Sequence, residues 1–137
     1  MKKLLLLLFS LLLSFSSYGE WYQLGQTPTR DHYIDGFEIR EKNGYLYAWY
    51  MADLYQPNSM TGALSYKVYS QIDCDIFKSK NLSVLTYIEP MGKGVAEKLP
   101  TEDEWDYPTS GTLRYSFIET ICWAYENPDQ YKELVAK

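Results

Sequence analysis

The sequence predicts an α+β domain, a mostly antiparallel β-sheet of roughly five or six strands with one C-terminal helix packed on one face. Three observations predict it. Apolar residues alternate with a period of two through most of residues 20–90, with turn residues between the runs. An Asn-Gly pair divides the longest apolar stretch. After Ser110 the apolar spacing changes to that of a helix.

EWYQLG, residues 20–25, reads as a short first strand. DHYIDGFEIREKNGYLYAWYMADLY, residues 31–55, reads as two strands joined at Asn43 and Gly44, because Asn-Gly between apolar runs favours the tight turn of a hairpin. The second of these strands has no wet face. Tyr45, Tyr47, Trp49, Met51 and Tyr55 point one way, and Leu46, Ala48, Tyr50, Ala52 and Leu54 point the other. QPNSMTG makes a loop, and ALSYKVYSQIDCDIF, residues 63–77, resumes a half-buried pattern. Leu64, Tyr66, Val68, Ile72 and Cys74 share one side of it, with Lys67, Gln71 and Asp73 on the other, which puts Cys74 on the inner face. LSVLTYIEP is one more strand, stopped by Pro90.

Residues 90–108 show no sustained period, and so long a connection inside a small domain is either functional or poorly ordered. From Ser110, Leu113, Phe117, Ile121 and Tyr125 recur every four residues with Ile118 beside them. Thr109 or Ser110 can cap this helix, and Pro128 lies beyond its end. DQYKELVAK is expected to add one helical turn or to fray. The Leu46 side of the wholly apolar strand, with its small residues, is the expected seat of the helix. The Tyr45, Tyr47 and Trp49 side is then left to the loop through Trp105, to a second copy of the chain, or to a partner.

The chain opens with MKKLLLLLFSLLLSFSSYGEW, two lysines before a short apolar run that ends in small and polar residues, the layout of a secretory signal peptide. Ser17 and Gly19 suit the cleavage site, so residues 1–19 are expected to be the signal and residues 20–137 a single domain, periplasmic or secreted. No cysteine ends the apolar run, so no lipid anchor and no membrane attachment is expected after cleavage. The formal net charge is -5, and losing Lys2 and Lys3 makes it two charges more negative. That balance, with no basic run, argues against nucleic acid and against anionic lipid as partners.

Cys74 and Cys122 are the only cysteines. In an oxidising compartment a disulfide is their default, and it would staple the helix to the inner face of the sheet. Without a Cys-x-x-Cys spacing, and with His32 the single histidine, a redox pair or a metal site has little to build on. No nucleophile elbow, zinc-binding helix or phosphate-cradling loop occurs, and no cofactor is indicated. Asp31 and His32 are adjacent in an extended segment and point to opposite faces, a poor dyad, which leaves His32 as a surface or satisfied structural residue. Glu102, Asp103, Glu104 and Asp106 surround Trp105 without the order or the turn glycine of a calcium loop, so they read as a solvated acidic loop with Trp105 as its anchor on the core.

The order of short pieces resembles the surface-adhesin protein E family of bacterial exported proteins. The pieces are WYQLG, YID, IREKNG running into YAWYMADLY, SYKVYSQIDC, EWDYPTSGT and ETICWAYE, from Trp21 to about Cys122. The resemblance implies an antiparallel sheet with a C-terminal helix, a Cys74–Cys122 disulfide and no catalysis. The family takes its name from an adhesin of host extracellular proteins, and it supplies no binding residue that maps onto a position here. Aromatic residues make up 17% of the chain, a surplus that either fills a thin core or furnishes an interface. The expected function is that of an exported, non-enzymatic binding protein with a protein or peptide partner or a homodimer, and Tyr45, Tyr47, Trp49 and Trp105 are the candidate contact residues. The alternative is a small periplasmic enzyme or ligand carrier with an unrecognised site.

Overall fold

A computed structural model describes residues 21–136; the expected signal peptide over residues 1–19 lies outside them. The strands are β1 (Tyr22–Gln26), β2 (Arg30–Ile34), β3 (Arg40–Lys42), β4 (Tyr45–Leu54), β5 (Ser65–Asp73), β6 (Lys78–Tyr87) and β7 (Ala96–Leu99). Two helices follow, α1 (Leu113–Glu126) and α2 (Pro128–Val135). The strands form one antiparallel sheet in the order β1-β2-β4-β5-β6-β7, with β3 also on β4. The fold is α+β, as the sequence predicts.

Asn43 and Gly44 both take positive φ, 53° and 83°, the backbone that a two-residue hairpin turn of matching twist requires. They join β3 to β4. The segment before them, expected to be one strand, is two. β2 pairs with Tyr50–Leu54 and β3 with Tyr45–Tyr47, so both share one edge of β4. The break lies at Asp35, whose carboxylate accepts the Phe37 N–H at 3.2 Å, a local turn that competes with the ladder.

The connection expected to lack periodic structure contains an edge strand and a 3-10 turn. That turn, Pro90–Gly92, closes on the sheet through Met91 N–H to Asp53 Oδ1 at 2.8 Å and Gly92 N–H to Ser65 Oγ at 2.8 Å. Gly92 has φ 66°, a backbone that favours glycine, and a Cβ there would stand 2.3 Å from Lys67 Cε and displace the end of that side chain. Beneath it Met51 is fully buried.

Thr112, rather than Thr109 or Ser110, caps α1, its Oγ1 accepting the Tyr115 N–H at 3.3 Å. The helix lies on the Leu46 side of the sheet. Ile34, Leu46, Ala48 and Ile72 from the strands and Phe117, Ile118, Ile121 and Ala124 from α1 make the core. Tyr125, expected on the apolar stripe, is instead exposed, and Ala124 takes the buried position. A Cys74–Cys122 disulfide ties the residue just after β5 to the second half of α1, with Cα atoms 6.0 Å apart. The tail does not fray. It forms α2, which begins on Pro128 at a position suited to proline and buries Tyr131 in the core.

Candidate functional site

The face of the sheet away from the helices carries a strip of aromatic rings. Tyr45, Tyr47 and Trp49 alternate along β4 with the core residues Leu46 and Ala48, and β5 contributes Tyr69 directly opposite Trp49. The Trp49 and Tyr69 ring centroids are 4.8 Å apart, and Tyr69 stacks on Tyr47 at 6.2 Å. Tyr45 meets Trp105 at 5.6 Å. The four candidate residues therefore lie on one face, and Tyr69 joins them. Its signal was the two-residue period of β5, which sets it between Lys67 and Gln71 on the same side.

Trp105 does not anchor to the core. It lies on the outer face with the Lys78 and Lys80 ammonium groups 4.2 and 4.7 Å from its ring centroid. Its position follows from Asp106, whose backbone exchanges hydrogen bonds of 2.8 and 3.0 Å with Ser79 and whose carboxylate pairs with Arg114 at 2.8 Å. Asp103 pairs with Lys80 at 2.7 Å. Among the described residues no group of three or more histidine, cysteine or acidic side chains is placed to hold a metal ion. At the other end of the face, Lys67 reaches between Trp21 and Tyr87, 5.5 and 5.1 Å from their ring centroids, and burial lowers its ammonium pKa. Trp105 thus covers the Tyr45 end and the Pro90–Gly92 turn the Met51 end. Tyr47, Trp49 and Tyr69, between them, are half-buried.

The helix-facing side holds a polar group that the sequence did not disclose. His32 is neither at the surface nor fully satisfied: it is 6% exposed, its Nδ1 meets the Tyr50 hydroxyl, and its buried Nε2 has no hydrogen-bond partner among the described residues. Arg30, on the same face of β2, donates to the Tyr66 hydroxyl at 2.6 Å. Asp31 points the other way and accepts from Tyr55 Oη at 2.5 Å, so Asp31 and His32 form no dyad.

Burial and then the Arg30 charge hold His32 below its ordinary value of 6.5, against a smaller opposite pull from Asp31. Facing it are Tyr50 from the neighbouring β4 and Tyr66 from β5 beyond it. The folded state binds this proton less readily than the unfolded chain. The stability contributed by neutral His32 is therefore complete above about pH 6.5 and declines as the pH falls through its lowered folded-state value. His32→Phe is expected to flatten the loss of stability below that pH, measured as the urea midpoint against pH; an unchanged slope would contradict a buried neutral imidazole.

These features define a disulfide-bonded α+β domain with helices on one face of its sheet and aromatic rings on the other. The chain belongs to the surface-adhesin protein E family, whose model matches residues 21–123. In fold it is similar to crystal form II of Haemophilus influenzae protein E, with a TM-score of 0.67 at 17% identity over 82% of this chain and 94% of that one. Protein E from non-typeable Haemophilus influenzae gives 0.57 at 18% identity, over 81% of this chain and 80% of that one. At such identities the likeness carries the fold alone. No curated protein matches the chain. Among the described residues no helix is long and apolar enough to cross a membrane.

Proposed function

We propose that this protein is an exported, non-catalytic binding protein that engages a protein or peptide partner through the outer aromatic strip. The observation that carries the reading is the cluster of Tyr47, Trp49 and Tyr69, half-buried on a face the helices do not occupy. Large rigid rings with polar tips suit the centre of a protein interface, and Lys78 and Lys80 beside Trp105 supply a polar rim. Membership of a surface-adhesin family supports an adhesin-like role outside the cytoplasm. The signal peptide over residues 1–19, with its cleavage after Gly19 to release one domain without a lipid anchor, belongs to the same proposal.

The test is capture by the purified protein from periplasmic and host-matrix extracts, with the bound proteins identified by mass spectrometry. A Tyr47→Ala, Trp49→Ala and Tyr69→Ala triple variant with native circular dichroism is expected to lose capture by at least about tenfold, since central aromatic anchors are each worth 2 kcal/mol or more at typical interfaces. Equal capture by the variant would remove the strip from the function. Self-capture, seen as a concentration-dependent dimer that the triple variant does not form, would make a second copy the partner.

A further inference from the structure

We propose that the space between the sheet and the first turns of α1 is a binding site for a small amphipathic carboxylate, an apolar body with one anionic head group. A cavity of 370 Å³ lies there, within the size range of small-ligand pockets and separate from the outer aromatic strip. Its walls combine Val68, Val84, Leu113 and Phe117 with the polar groups of His32 and Arg114.

The unpartnered His32 Nε2 is the observation that points to a ligand. A buried polar nitrogen with nothing to bond is costly and uncommon in native proteins; His32 lines the space but its Nε2 has no surface open to it, so a head group seated against the ring satisfies that nitrogen once the ring turns toward it. The sign of that head group follows from the charges around the space. Among the described residues no aspartate or glutamate lines it, although the chain carries 18 acidic residues against 13 basic ones. Arg114 stands in the wall with Asp106 pairing its Nε at 2.8 Å, which offsets part of its charge, and Arg30, which reaches the wall through the Tyr66 hydroxyl, adds a second guanidinium. Burial, and then Tyr66, push the Tyr50 hydroxyl pKa up, and the two guanidinium groups are the contributions that pull the other way. The cavity also meets α1 at Leu113 and Arg114, its first two residues, where the helix presents the positive end of its dipole.

Glu102, Glu104 and Asp106 lie in an adjoining recess that shares Asn81, Val84 and Arg114 with the cavity. Their repulsion opposes a head group of higher charge more than a single carboxylate, and it weakens with salt. An apolar wall opposite the polar groups favours a hydrocarbon body, aromatic or aliphatic.

The experiment is a titration of the purified protein, followed by heteronuclear NMR, with hydrocinnamate, octanoate and the uncharged hydrocinnamyl alcohol. The expected result is saturable binding of at least one acid, with shifts at the amides of Val68, Ser70, Val84 and Phe117. The comparison of the two acids separates an aromatic from an aliphatic body. The acid should bind at least about tenfold more tightly than the alcohol, and Val84→Trp, which fills the space, should abolish binding. Should that variant fail to fold, Arg30→Met leaves the cavity open and is expected to weaken the acid by a similar factor. Alcohol binding as tight as acid, affinity unchanged by both variants, or no saturable binding by either acid would each overturn the proposal.

Discussion

Tyr131→Ala is expected to lower the unfolding free energy by about 3 to 5 kcal/mol, the range for deleting a large buried aromatic ring, whereas Tyr131→Phe should cost only about 1 kcal/mol. The ring is 1% exposed, and it is the only buried side chain that α2 contributes. It meets Phe37 at 5.2 Å and Tyr22 at 6.2 Å between ring centroids, both edge-on. Its hydroxyl accepts the Gly36 N–H at 3.1 Å. Gly36 sits so close to the ring that a Cβ there would fall 2.3 Å from Tyr131 Cζ, so the absence of a side chain at the strand break is what lets the ring seat. Removing the ring takes away the anchor of α2, a helix of eight residues that is too short to persist in water unaided. Urea unfolding of the two variants measures the difference. A loss below about 1 kcal/mol for the alanine variant would show that α2 is dispensable to the core.

Cys122→Ser is expected to destabilise the protein by about 2 to 4 kcal/mol under oxidising conditions, with little further loss on adding reductant. The bridge spans 48 residues of sequence, a loop whose closure restricts the unfolded chain substantially. It also ties the residue just after β5 to the second half of α1. Both cysteines pack at the margin of the core, so the serine hydroxyl adds a desolvation cost of its own. Denaturant midpoints of the wild-type protein with and without reductant supply the control. If reduction leaves the wild-type midpoint unchanged, the crosslink contributes nothing and this expectation fails.

What could be read from the sequence was set by short-range physics. Asn43 and Gly44 announced their turn because few residue pairs accept two positive φ values in succession. The alternation along β4 and β5 identified the helix-facing side, because residues two apart must share a face whatever the distant packing. The failures have the opposite character. β7 carries Ala96, Glu97 and Lys98 exposed at an edge of the sheet, so no burial pattern marked it. α2 depends on one tyrosine meeting Gly36, a contact across 95 residues. The wall of the inner cavity comes from β2, β4, β5, β6 and α1, and a lone histidine in a sequence gives no sign that five elements will enclose it. The acidic loop around Trp105 reads in sequence as one anchored on the core by that ring, but two lysines on β6 offer a competing surface.

The crosslink also divides the molecule mechanically. Under tension between its ends, the chain transmits force from Cys74 directly to Cys122, so β6, β7 and the acidic loop are bypassed. At about 3.4 Å per extended residue, roughly 160 Å of contour length is withheld from stretching while the bond holds. The outer strip straddles that boundary. Tyr47, Trp49 and Tyr69 precede Cys74 on strands that load can peel, whereas Trp105 lies inside the shielded loop. A domain pulled from its ends would therefore yield outside the crosslinked loop, at β1 and α2 before the strands that bear the central rings, and keep intact the segment that shields Tyr45.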